Sequence, residues 1–190
     1  MFVSLSSAIR KSALAFAVAT FITTPVLAAS WTVDHSQSTL GLEVLQLNQP
    51  FAARFDNWTA DITFDPEALD NSSVSVTIET GSFSSDNPQR DQQAGSAPWL
   101  NASGFPTATF EVTGFSGSNG AYEAEGTLTI GGIAVPVILP FELNITDDTA
   151  IMTGEVALNR TDFGIGVGAD NEGAVGPEVI VKLSVTATKA

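Results

Sequence analysis

The chain has 190 residues, with 21 acidic against 7 basic side chains, 1 histidine and no cysteine. Those counts close off disulfide bonds, thiolate catalysis, zinc sites that use cysteine, and anchoring through a lipidated cysteine. A formal charge of −14 at pH 7 gives a surface that repels nucleic acid and anionic lipid headgroups, so no nucleic-acid partner is expected, and it reads as a solubility device.

In chain order, Arg10 and Lys11 form a short positive segment, the run 12–27 is apolar apart from Ser, Thr and Pro, and Ala28 and Ala29 close it with small residues. That order predicts a secretory signal peptide over 1–28, and hence export. The remainder, 29–190, suits one domain with its own core. No other stretch is long and apolar enough to span a bilayer, so stable membrane anchoring is not expected.

Strand signals fill the rest. Ala60, Ile62 and Phe64 alternate with Asp61 and Thr63, and Val74, Val76 and Ile78 alternate with Ser and Thr. The segment 90–104 departs from this pattern and predicts a short helix or folded loop with Trp99 and Leu100 tucked in. The run 122–130 leads through Gly131-Gly132, a two-residue hairpin turn, into 133–145. There every odd position is apolar, from Ile133 to Ile145, while Pro136 and Pro140 on even positions point to bulges or an edge. Met152, Gly154, Val156 and Leu158 continue the period, as do Val179, Val181, Leu183, Val185 and Ala187. Many short antiparallel strands, each with one buried face, predict an all-β sandwich or barrel, and the pattern alone does not separate the two.

Catalytic patterns are weak. There is no G-x-S-x-G elbow, and His35 stands beside Asp34 and Ser36, where neighbouring strand residues face opposite ways and build no triad. His35 is expected to be a hydrogen-bonded structural residue near a strand end. Asp147-Asp148 and the Asp170–Gly173 stretch lack EF-hand spacing and read as solvated loops, so no metal or cofactor is expected. Gly164, Gly166 and Gly168 alternate without completing a dinucleotide fingerprint. The aromatics carry more. Phe51, Phe55, Trp58, Phe83, Trp99, Phe105 and Phe110 fall in the first half of the domain. Phe rings have no polar handle and suit a dry interior, so together these allow an apolar cavity.

Several local motifs then add up. Trp31 to Ser36 reads W-T-V-D-H-S; Arg54-Phe55 and Ile62 to Pro66 (I-T-F-D-P) follow; then come Arg90-Asp91, the F-P-T-A-T-F of Phe105 to Phe110, the G-T-L-T-I-G-G of Gly126 to Gly132 with Val135-Pro136-Val137, the R-T-D-F-G-I of Arg160 to Ile165, and Glu178-Val179. In order and spacing this resembles the YceI-like family over nearly the whole of 29–190. The resemblance implies a single antiparallel, lipocalin-like β-barrel with an apolar tunnel, a periplasmic or secreted location, and binding of a polyisoprenoid, quinone-like or other long-chain lipid without catalysis. On it, Phe55, Trp58, Ile78, Phe83, Trp99, Leu100, Phe105 and Phe110 are candidate wall or lid residues, and Arg90 and Asp91 candidates for the mouth. Arg160 and Asp162 are expected to form an ion pair. The resemblance also makes a homodimer reasonable, through exposed strand edges. Three departures bear on the ligand's polar head: Gln92-Gln93-Ala94 stands where the family continues with His and Leu, Phe51-Ala52-Ala53 where a glycine is common, and Pro177 where it has aspartate. Two rival readings stay open: an enzyme acting on lipid through His35 or a carboxylate, and a partner-binding β-domain with a filled core.

Overall fold

The computed structural model describes residues 28–190. The expected signal peptide, Ala28 apart, lies outside them. Within them eleven strands form one sheet: β1 (Ala29–Val33), β2 (Thr39–Gln46), β3 (Gln49–Phe55), β4 (Trp58–Phe64), β5 (Ser73–Glu79), β6 (Phe83–Ser84), β7 (Thr107–Ser118), β8 (Ala121–Ile130), β9 (Ile133–Thr146), β10 (Thr149–Asn159) and β11 (Val175–Lys189). All pairings are antiparallel, and β11 closes the sheet by pairing with both β1 and β2. Closure settles the choice that alternation left open: the fold is a barrel, not a sandwich.

The first six strands are three long ones, each bent in the middle. β1 and β2 lie end to end along β11, β4 and β3 lie along β1 and β2, and β5 and β6 follow on β4 and β3. With β7 to β11 this makes eight staves in an up-and-down barrel. The first bend has a local cause. The Asp34 carboxylate accepts from Ser36 Oγ at 2.6 Å, Gln37 Nε2 at 2.6 Å and Ser36 N–H at 2.9 Å. These bonds turn the chain into a short 3-10 turn over His35–Gln37 and hold the Asp34 carboxyl below the usual carboxylate range. His35 is exposed there, and its ring meets Trp58 edge-on at 4.8 Å between centroids. It takes this aromatic contact rather than the hydrogen bond expected of it.

Gly131 and Gly132 have φ of 59° and 79° and make the two-residue turn between β8 and β9. Two successive left-handed residues are the geometry that glycine supplies at least strain. The prolines of β9 have a related logic. β9 pairs with β8 over 133–142 but with β10 only over 141–146. From either flanking hairpin, the even residues of β9 turn their backbone nitrogens toward β10. Pro136 and Pro140 thus sit where that ladder has stopped and no donor is needed. The wedge opened there receives the segment after β10, where Phe163 is 4% exposed and Gly164 packs against Ile133.

The expected ion pair in that segment does not form. Arg160, 6% exposed, instead donates to four backbone carbonyls: Ile165 at 2.6 Å, Val175 at 2.8 Å, and Glu172 and Gly176 at 3.0 Å. Asp162 stays exposed. A guanidinium has five N–H donors in a rigid fork, and a loop closing around it answers them with main-chain oxygens that no side-chain pattern records.

Candidate functional site

The barrel is hollow. A cavity of about 350 Å³ runs along its axis, within the range of roughly 300–1,000 Å³ typical of small-molecule sites. Inward residues such as Val76, Ile78, Val181 and Leu183 are only half-buried although they face the interior, because no opposing side chain fills the axis.

One end is plugged by aromatic packing. Phe64 meets Phe115, Tyr122 and Phe141 edge-on at 5.2, 5.5 and 6.2 Å, and Tyr122 stacks on Phe141. Trp31 closes this floor and donates its indole N–H to the Phe64 carbonyl at 3.2 Å, so its one polar atom is satisfied. The waist is lined by Ala60, Val76 and Phe110, and on β11 by Val181 and Leu183. Phe110 has room to turn inward because Gly126 on β8 faces it; a Cβ there would stand 2.8 Å from the ring.

The other end carries a lid. α1 (Pro88–Gly95) begins at Asn87, whose side chain accepts from Gln89 and Arg90 N–H, with proline in the first turn. Asp91 pins the helix to β6 by accepting from Ser85 N–H at 2.8 Å and Ser85 Oγ at 2.6 Å. The chain after α1 is tied down by Thr80, which is 1% exposed; its hydroxyl donates to the Phe105 carbonyl at 2.6 Å and its N–H to the Pro106 carbonyl at 3.0 Å. Trp99 slides between this lid and the 160–168 segment, with the Arg160 guanidinium 5.2 Å from its ring. Gly166, at φ +72°, makes that contact possible: a Cβ would come within 2.5 Å of the Trp99 ring.

Of the residues singled out from the sequence, Phe55, Trp58, Ile78, Phe83, Arg90, Trp99, Leu100 and Phe110 all line the cavity. Asp91 and Phe105 do not. Asp91 spends both interactions on Ser85, and the Phe105 ring is 40% exposed beside Gly132. The polar side chains that reach the cavity are Gln46, Thr80, Arg90, Gln93 and Arg160, all at the lid end. Gln46, Thr80 and Arg160 were missed as site residues, and Gln93 was read only as part of a departure from the family at the mouth; the only available signal for Gln46 and Thr80 was a polar residue at an inward register position. Among the described residues, no carboxylate, histidine, serine or lysine lines the cavity, and no three of His, Cys, Asp and Glu are arranged to hold a metal ion.

The family model described as "YceI-like domain" matches residues 31–187. The chain belongs to the YceI-like family. The UPF0312 protein PA0423 of Pseudomonas aeruginosa is 30% identical over 183 residues, covering 92% of this chain and 94% of its own. Protein YceI of Salmonella newport is 29% identical over 140 residues, or 70% and 73% of the two chains. Among solved structures, Burkholderia cenocepacia BcnA superposes with a TM-score of 0.77 at 29% identity, covering 82% of this chain and 99% of its own. A domain from Saccharophagus degradans described as polyisoprenoid binding superposes with a TM-score of 0.69 over 85% and 99% of the two chains. At 11% identity it speaks for the YceI-like barrel alone.

Proposed function

We propose that the chain is a carrier that holds a long-chain lipid, isoprenoid or quinone-like in its tail, inside the barrel. The observation that carries this reading is a bore with an aromatic floor, apolar walls and polar groups confined to the lid. Removing a chain from water into such a bore contributes about 0.8 kcal/mol per methylene. Family membership and the name of the Saccharophagus domain favour the same ligand class. The leader composition adds export, with 1–28 removed and the carrier at work in the periplasm.

Among the described residues, the histidine and carboxylates on which the enzymatic alternative rests do not reach the cavity. Among the described residues, Thr80 is the one hydroxyl-bearing side chain on the cavity, and it is already bonded to Phe105. His35 lies outside the lining and packs on Trp58. A homodimer belongs to the proposal in altered form. Barrel closure leaves only short unpaired stretches of edge, such as 133–140 of β9, so two copies would meet chiefly through outer faces, where Ile138 and Ile151 are 53% and 50% exposed. Sedimentation velocity reads that association directly.

The test is extraction. Protein purified from the periplasm of its own host is extracted with organic solvent and the extract analysed by mass spectrometry. A stoichiometric long-chain lipid is expected. Protein that reaches the periplasm and yields no lipid, and takes up none when offered, sinks the proposal.

A further inference from the structure

Only five basic residues remain after Lys11, in a chain with 21 acidic ones. Among the described residues, Arg54 and Lys182 hold the ion pairs, to Asp56 and Asp86 and to Glu43. Two of the other three, Arg90 and Arg160, line the cavity, both at the lid. Neither has a carboxylate within ion-pair reach among the described residues, despite the excess of acids. Left unneutralised beside a low-dielectric bore, two guanidinium charges make this end attractive to an anion.

The two are not equivalent. Arg160 is locked by four carbonyls and supplies charge with little donor capacity to spare. Arg90 is half-buried, rests over the Phe51 ring at 4.1 Å, and its Nε donates to Gln46 Oε1 at 3.2 Å. That bond turns the Gln46 amide so that its oxygen is used and its NH2 remains a donor. Gln93, three residues beyond Arg90 and so on the same helix face, is exposed as well as cavity-lining, which places it at the opening. The stacking on Phe51 fixes the guanidinium plane while leaving its terminal NH2 groups unengaged among the described residues.

We infer that Arg90, with Gln46 and Gln93, forms a head-group site that selects lipids ending in an anionic oxygen group, carboxylate or phosphate, over neutral ones. This rests on the carrier reading and adds the class of head group to it. Charge-assisted hydrogen bonds are roughly twice as strong as neutral ones, and a partly exposed mouth screens them.

The experiment offers delipidated protein three ligands with one tail: farnesol, farnesoic acid and farnesyl phosphate, each measured by calorimetric titration at neutral pH. Wild type is expected to hold the two anions about tenfold tighter than the alcohol. Arg90→Gln should remove that preference, weakening the two anions more than farnesol, and Arg90→Lys should retain most of it. Repeating the series near pH 4 separates the sources: a carboxylate loses its charge there and its advantage, whereas a phosphate monoester keeps one charge. Equal affinity of wild type for all three ligands overturns the inference. So does an Arg90→Gln variant that weakens all three by the same factor, since Arg90 would then merely clamp the lid. If none of the three is held, the carrier reading itself fails; if farnesol is held and the anions gain nothing, only the head-group site does.

Discussion

Affinity should climb with the length of the bound chain and then stop. From Val175 to Val185, both on the cavity wall, β11 runs ten residues, about 33 Å along the strand. A tilt of about 40° reduces this to about 25 Å along the barrel axis. An extended covalent chain advances about 1.2 Å per bond, so the bore takes about twenty carbons before the tail meets Phe64 and Trp31. Each methylene up to that point is worth about 0.8 kcal/mol, or about fourfold in Kd. Val76→Trp tests the geometry. Val76 sits at the waist, paired with Ala60 and Phe110. Phe64 lies four residues beyond Ala60 on β4, about 10 Å along the axis. An indole at the waist should therefore end the climb about eight carbons sooner, with the affinities of shorter chains unchanged. A homologous series of fatty acids, titrated against a displaced fluorescent chain, reads both curves. An affinity independent of chain length in wild type would refute the argument, as would a Val76→Trp series lowered uniformly without a shorter limit.

Other expectations concern the lid and the first bend. Gly166→Ala places a Cβ against the Trp99 ring in a left-handed backbone and should cost about 2 kcal/mol or more, read by thermal unfolding and by a shift in tryptophan emission. Thr80→Val keeps the side-chain shape but leaves the Phe105 carbonyl without its donor; a loss of about 1–3 kcal/mol is expected in urea denaturation. Asp34 has its carboxyl depressed by Ser36 and Gln37. A depressed carboxyl stabilises the fold above its unfolded value of about 3.8, and that contribution disappears as pH falls through the lower folded value. Asp34→Asn should accordingly flatten the acid limb of stability, measured as Tm against pH, while leaving the neutral-to-alkaline limb parallel to wild type.

Much of the barrel was legible because its strands have one wet and one dry face. The odd positions from Ile133 to Ile145 and from Val179 to Ala187 announced both the strands and their inward side, and Gly131-Gly132 announced its own turn. Closure was not legible from alternation, since a sandwich face and a barrel wall have the same period; the family resemblance supplied it. The bends in the first three staves were hidden for another reason: each depends on local polar contacts such as those at Asp34, which look like ordinary turn chemistry. The start of α1 had a signal in Asn87-Pro88 that the polar composition of 88–95 obscured. Arg160 shows the limit most clearly. Asp162 is its obvious partner in sequence, yet its actual partners are main-chain oxygens from 165 to 176, and every residue type carries the same carbonyl. Phe105 fails differently: its ring is placed by Gly132 outside, while its backbone is what the lid uses.

The prolines of β9 have a bearing on aggregation. A barrel without disulfides that parts between two strands exposes a ribbon of backbone that any unfolded neighbour could zip onto. With Pro136 and Pro140 in that ribbon, two of the four nitrogens that face the gap over 133–140 carry no hydrogen, so a foreign strand finds a ladder with rungs removed. The widening that admits the segment after β10 thereby makes a poor template for an added strand.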